Sequence, residues 1–369
     1  MPALNVLALN SGSSSLKFGL YRVGPSQAQM LLSGDDQSTG GEAASSEAIA
    51  RIAGRLADSK MPAPDAVGHR IVHGGPRLRS HCLVDDSILR QLESAAAFAP
   101  LHTPMALAII RFAREHFPGI PQAACFDTAF HAGLPDVARI LPIPRQLQAE
   151  GIHRYGFHGL SCESILRQLA GELPGRVVIA HLGNGASITA VKDGKSVDTS
   201  MGLTPTGGVV MGTRSGDLDP GVLVYLMREK KLDAAMIEDL VDRRSGLLGL
   251  SGVASDLRYL HEASGSSADA RLAIRIFCYS VRKQIAAMIA ALDGIDLLVF
   301  TGGIGENDAE ARAAICSGLA WIGVSLDADR NRSAGHVISD RGSRCAVRVL
   351  ASQEDEQIAR HVRALIPRR

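Results

Sequence analysis

Leu4-Asn5-Val6-Leu7-Ala8-Leu9-Asn10-Ser11-Gly12-Ser13-Ser14-Ser15-Leu16-Lys17 stands near the start of the chain, and Val177-Val178-Ile179-Ala180-His181-Leu182-Gly183-Asn184-Gly185-Ala186-Ser187 stands in its second half. Each is an apolar run that stops at a glycine-rich loop and then resumes, the pattern of a buried strand turned back on a partner. The first hairpin joins Leu4–Leu9 to Leu16–Val23. The second joins Val177–Leu182 to Ala186–Lys192, which Asp193-Gly194 turns back again. Two such hairpins are common by chance, but one in each half, about half the chain apart, suggests a duplicated domain with a cleft between the copies.

Working outward, the pattern is mixed α/β. Residues 24–65 are rich in Gly, Ser, Ala and Pro and read as irregular, apart from a helix near Ser45–Ala57. Ala66–Val72 reads as a strand closed by His73-Gly74-Gly75-Pro76. Helices follow from Asp86 to about Phe98 and from Pro104 to about His116, then a strand, Ala123–Phe126, that ends at Asp127. Pro135, Pro142 and Pro144 mark a connection between domains. Asp219-Pro220 starts a helix, Ala268–Leu292 is a long helix with one apolar face, and Leu297–Phe300 is a strand running into Gly302-Gly303. Glu306-Asn307 is expected to open a helix ending near Trp321. Ala346–Leu350 and Glu354–Leu365 read as a last strand and a last helix.

At roughly 150 residues per domain, 369 residues make about two domains. The 39 basic and 38 acidic residues nearly cancel, which excludes an electrostatic nucleic-acid binder or a polybasic membrane anchor. Six cysteines show no CxxC spacing, so zinc is not expected. No secretory signal opens the chain, and the most apolar stretch, 285–300, is broken by Asp293, Gly294 and Asp296. The expectation is a cytosolic protein with reduced thiols and no membrane span.

Glycine-rich turns let backbone N–H groups close on anionic oxygens. Three occur, at Asn10–Ser15, Gly183–Gly185 and Gly302–Gly305; each alone reads more readily as a hairpin turn, and three at strand ends shift the balance toward a nucleotide. None fits GxxxxGK[ST] or GxGxxG. Lys17, on the first hairpin, can fold back on phosphates or be a solvated surface charge. Arg70 and Arg214 sit in glycine-rich, apolar surroundings where the guanidinium fork suits carboxylate and phosphoryl oxygens. Asp127, at a strand's carboxyl end, reads either as chemistry or as a helix cap. His73, His158 and His181 lie beside glycines, but there is no HExxH and no GxSxG.

In order along the chain, the segments Leu9–Lys17, Gly68–Gly75, Ala99–His102, Phe126–His131, Arg154–Gly159, His181–Gly185, Met211–Pro220, Ser255–Arg258 and Thr301–Asn307 together resemble the acetokinase family from end to end. The resemblance implies a duplicated actin-like ATPase fold with two lobes and an interlobe cleft. The N-terminal lobe would span 1–134 with the helix 357–369 packed on it, and the nucleotide-binding lobe 135–356. It further implies a homodimer and reversible, in-line phosphoryl transfer from ATP to acetate, giving acetyl phosphate and ADP. Mg²⁺, or Mn²⁺ in its place, would serve at Asn10 and Glu354. Lys17, His181, Leu182, Gly183, Asn184, Gly185, Asp256, Leu257, Arg258, Gly302, Gly303, Ile304, Gly305 and Glu306 would form the nucleotide site. Arg70 would bind acetate in a pocket walled by Val72, Leu101, Phe157 and Pro205. His158 and Arg214 would stabilise the transition state, and Asp127 would be the catalytic acid/base residue. Because a carboxylate acceptor has no proton to lose, Asp127 is expected instead to position metal-bound water or Arg70. Val72 in place of alanine predicts a preference for acetate over propionate. Propionate or butyrate kinase, and an idle actin-like ATP-binding protein, are the competing readings.

Overall fold

The computed structural model describes residues 3–12, 15–36, 41–100, 102–333 and 335–367. Leu101, one of the expected pocket residues, lies outside them. The chain divides into two units. The first is Met1–Ala132, Phe157–Ser164 and Gln353–Arg369; the second is Gly133–Gly156 and Ile165–Ser352.

In the first unit, β1 (Leu4–Ser11), β2 (Leu16–Val23), β3 (Ala28–Asp36), β4 (Ala66–Ile71), β5 (Cys82–Leu83) and β6 (Gln122–Phe126) form one sheet in the order β3-β2-β1-β4-β6-β5. β1 pairs antiparallel with β2 and parallel with β4, and β4 pairs parallel with β6. Val6–Leu9 are buried on both faces, as helices on both sides of a parallel sheet require. Leu7 and Leu9 face Ile49, Ile52 and Ile109. Val6 and Ala8 face Ile358, Ala359 and Val362 of the C-terminal helix, Glu354–Leu365.

The second unit has its own sheet, from β7 (Arg176–Leu182), β8 (Ala186–Lys192), β9 (Lys195–Thr199), β10 (Leu297–Thr301) and β11 (Ala346–Val349), in the order β11-β10-β7-β8-β9. β7, β8 and β9 pair antiparallel, while β7, β10 and β11 pair parallel. That is the pairing scheme of β3-β2-β1-β4-β6, so the duplication suggested by the two hairpins is present in the topology. The helix Ala268–Ala291 packs on β7 and β8 and buries Phe277, Val281, Ile285 and Met288.

Two expectations are corrected. The stretch read as irregular contains β3, a nine-residue edge strand on β2. Its Gly and Ser residues and its largely uncovered side chains hid the alternation that a half-buried strand shows. The helix expected to open at Glu306 starts at Gly302, directly after β10, and stops at Asn307; Asp308 then caps a separate helix, Ala309–Cys316. Gly302 permits the early start because it takes φ +79, where a side chain is strained.

Candidate active site

The parallel core of the first sheet brings its chemistry to the carboxyl ends of three neighbouring strands. Asn10 is near the end of β1, Arg70 near the end of β4, and Asp127 directly follows β6. Arg70 donates from Nε and Nη2 to Asp127 Oδ2, at 3.0 and 2.7 Å, and from Nη1 to Asn10 Oδ1 at 3.2 Å. Asn10 Nδ2 donates to Glu354 Oε2 at 3.1 Å and Asp355 Oδ1 at 2.8 Å, both in the first turn of the C-terminal helix. Lys17 is the cross-strand partner of Asn10 and lies within electrostatic reach of Asp355.

Burial pushes the Asp127 carboxyl up to about 6, against the pull of Arg70 and with help from Glu354 and Glu163. Burial also works against the Arg70 charge, but the carboxylates of Asp127, Glu354 and Asp355 outweigh it and hold the guanidinium protonated. Asp127 Oδ1 is buried with no partner among the described residues.

Val72 follows β4 and is buried, as is Phe157. The His73 ring meets Phe157 edge-on at 5.5 Å, and its Nδ1 accepts from the Gly75 amide at 2.8 Å. His131 Nε2 bonds the Phe157 carbonyl at 3.0 Å. His158 is buried at φ +58, immediately before the helix Gly159–Gln168. That helix starts close against the first cluster, where the Gly159 amide donates to the Asp127 carbonyl at 2.9 Å. A Cβ on Gly159 would lie 2.2 Å from that carbonyl oxygen, so only glycine fits.

In the second unit, glycine-rich turns follow two adjacent parallel strands. His181 and Leu182 end β7, and Gly183–Gly185 turn back into β8. β10 runs into Gly302–Asn307, where Glu306 Oε1 accepts from the amides of Gly302 and Ser352, each at 2.9 Å. The space a Gly183 side chain would fill is 3.9 Å from the Gly303 amide. The Asn184 carbonyl accepts from Gly212 N at 3.2 Å, and Gly212 also abuts the Ser255 carbonyl. Asp256 then caps the helix Leu257–Ala263 and pairs with Arg258. Gly183–Gly185 and Gly303-Ile304 give exposed or half-exposed backbone at the sheet's carboxyl edge, which suits phosphate oxygens, while Gly302 and Gly305 are buried. Arg214, in the same unit, is half-buried and donates from Nη1 to the Pro205 carbonyl at 3.2 Å.

The geometry therefore joins Asn10, Arg70, Asp127 and Glu354 in one network, and brings the 183–185 and 302–306 turns together in another region. Asp355 was not expected from the sequence. Its only signal was the acidic run Glu354-Asp355-Glu356 at a helix start, which the helix dipole alone explains.

A largely buried arginine among oxygen donors on one α/β unit, and glycine turns at the carboxyl edge of a second unit with the same sheet scheme, suit an α/β phosphotransferase. The model of the acetokinase family matches residues 5–360. Acetate kinase of Methylocella silvestris is 43% identical, with 98% of each chain covered. Acetate kinase of Caldanaerobacter subterraneus subsp. tengcongensis is 39% identical over 98% of this chain and 99% of its own. Among solved structures, a propionate kinase from Francisella tularensis subsp. tularensis superposes with a TM-score of 0.89 at 36% identity, covering 99% of this chain and 100% of its own. Porphyromonas gingivalis acetate kinase does so with 0.83 at 34%, with the same coverage. The chain belongs to the acetokinase family and is a kinase that transfers phosphate to a carboxylate. Among the described residues no helix is long and apolar enough to cross a membrane.

Proposed function

We propose that this chain is an acetate kinase, catalysing reversible transfer of the γ-phosphoryl group of ATP to acetate. The observation that carries the reading is the Asn10–Arg70–Asp127 network with Glu354 and Asp355 beside it. Arg70 offers a guanidinium to the acetate carboxylate, with Val72 and Phe157 as pocket walls in its own unit. His181–Gly185, Asp256–Arg258 and Gly302–Glu306 hold the nucleotide, with Lys17 toward its phosphates. Arg214 and His158 neutralise the charge spread over the phosphoryl oxygens in flight, where positioned cations contribute most.

The oxygen donors around Asn10 suit a hard divalent cation, and the buried Asp127 Oδ1, without a partner among the described residues, would give a further oxygen to orient its water. Asn10 and Glu354 would hold Mg²⁺, with Asp355 beside them, and the ion would neutralise phosphate charge. Asp127 acts by holding Arg70, accepting from its Nε and Nη2; acetate, already ionised, gives it no proton to remove.

The helix Pro220–Glu229 buries none of its residues and exposes Val222, Val224, Tyr225 and Met227. We assign this exposed apolar helix to a homodimer contact in a cytoplasmic enzyme. Acyl-hydroxamate formation with ATP, Mg²⁺ and a panel of short acids tests the activity. Acetate should be the best acceptor, with propionate measurable; a faster reaction with propionate or butyrate, or none with any acid, would refute the reading.

A further inference from the structure

The first unit holds a second cluster of titratable side chains. Glu163, largely buried in the Gly159–Gln168 helix, has its Oε2 2.7 Å from Nε2 of His361 and 3.7 Å from Nε2 of His81. The two imidazole rings lie 3.9 Å apart, centroid to centroid. Gln357, one turn before His361, places its amide nitrogen 3.0 Å from the same His361 nitrogen. His81 Nδ1 in turn accepts the backbone N–H of Phe126 at 3.0 Å.

Two histidines and a carboxylate whose donor atoms lie within 4.8 Å of one another could take a divalent cation. Two observations favour protons instead. Nδ1 of His81 is occupied as an acceptor, so the neutral ring carries its proton on Nε2, which leaves no lone pair there for a metal. The separation of 2.7 Å between His361 and Glu163 is that of a charge-assisted hydrogen bond. Burial disfavours the Glu163 charge, but the two imidazoles outweigh it and hold the carboxyl down to about 2. Cys125, Asp127 and His131 also feel this charge from β6 and the segment after it.

Each anchor runs into a residue of the site. Glu163 lies one helical turn past Gly159, the residue after His158. His361 lies two turns past Glu354. His81 holds the amide of Phe126, the residue before Asp127. We infer that Glu163 is a positioning residue, its carboxylate fixing together the three segments that present His158, Glu354 and Asp127. This rests on the acetate kinase reading.

The test compares Glu163→Gln, His361→Ala and His361→Gln with the wild-type enzyme. Because misplacement by about 1 Å can cost on the order of a hundredfold, Glu163→Gln and His361→Ala should lower kcat about tenfold or more. KM for ATP should be unchanged, since the nucleotide residues other than Lys17 lie in the other unit and Lys17 is on none of the three anchored segments. Glutamine at 361 restores an N–H donor at the position of Nε2 and should recover kcat to within about threefold. Amide exchange in the first turn of the C-terminal helix should quicken in Glu163→Gln and His361→Ala. Three results would overturn the inference: kcat within twofold of wild type in both, equal losses in His361→Ala and His361→Gln, or an equivalent of Zn²⁺ binding that Glu163→Gln abolishes. A wild-type chain that phosphorylates no acid would refute the kinase reading; exchange in the helix would still decide the anchoring, quicker supporting it and unchanged refuting it.

Discussion

Arg70 sends two nitrogens to a single oxygen of Asp127, and the other carboxylate oxygen of Asp127 is buried without a partner among the described residues. The pair is therefore one-sided: one oxygen fixes the guanidinium and the other is kept for something the enzyme binds. Asp127→Asn keeps an oxygen for Arg70 but removes the charge that balances it, in a site where Asp127 is 1% exposed. Removing one partner of a buried ion pair costs about 3–5 kcal/mol. We expect kcat for acetyl phosphate formation to fall a hundredfold or more and KM for acetate to rise. Near-normal turnover in Asp127→Asn, with the metal requirement intact, would take Asp127 out of the site.

Acceptor size should be set at Val72, which is buried directly after β4 beside Arg70. Val72→Ala opens room for one more methylene, worth about 1–3 kcal/mol of discrimination. The ratio of kcat/KM for propionate over acetate should rise tenfold or more, most of it through KM. An unchanged ratio across the acid panel would show that another wall limits the acyl chain.

Acid should destabilise the first unit through buried histidines. Burial holds both His69 and His131 down to about 4, against hydrogen bonds with Gln122 and the Phe157 carbonyl. The unfolded chain binds protons near 6.5, so between about 6.5 and 4 it takes up protons that the folded state refuses. Stability is full above the upper value and falls as pH drops through that window, each group contributing on the order of a few kcal/mol. Thermal denaturation should show Tm falling from pH 7 to 4.5. His131→Gln, which keeps a donor for Phe157, should flatten part of that slope, and an identical slope in that variant would assign the acid loss elsewhere.

The hairpins and the parallel strands were legible because β1, β7 and β10 are continuous apolar runs buried on both faces, a pattern local sequence carries. β3 was not, since an edge strand with exposed alternation looks like a loop. Within the candidate site, Arg70, Asp127 and Asn10 each end a strand and could be singled out by position. Their mutual bonding depends on the β1-β4-β6 order, which no local pattern states. Asp355, Glu163 and His361 were silent for a related reason: α-helical acids and histidines read as solvated faces until the sheet they pack on is known.

Arg312 gives the last test, of the glycine turn after β10. It is 1% exposed, and its charge meets carbonyl and amide oxygens. Nη1 donates to the carbonyls of Gly305 and Glu306 at 2.9 and 3.0 Å, Nε to Asn331 Oδ1 at 2.8 Å, and Nη2 to the Asn331 carbonyl at 2.8 Å. Burial lowers its affinity for the proton, partly offset by Asp308. An arginine is kept in so dry a place because its planar fork spans two backbones that one ammonium cannot. Arg312→Met strips those partners and leaves buried carbonyls unmet, each costing about 1–3 kcal/mol. Denaturant unfolding should register a loss of several kcal/mol. In the folded fraction, KM for ATP should rise severalfold while KM for acetate, whose anchor Arg70 lies in the other unit, stays put. Arg312→Lys keeps the charge and should sit between the two on both measures. If lysine proved indistinguishable from arginine, the charge would matter and the fork would not, and the turn's geometry would have to be set by Glu306 and Gly302 alone.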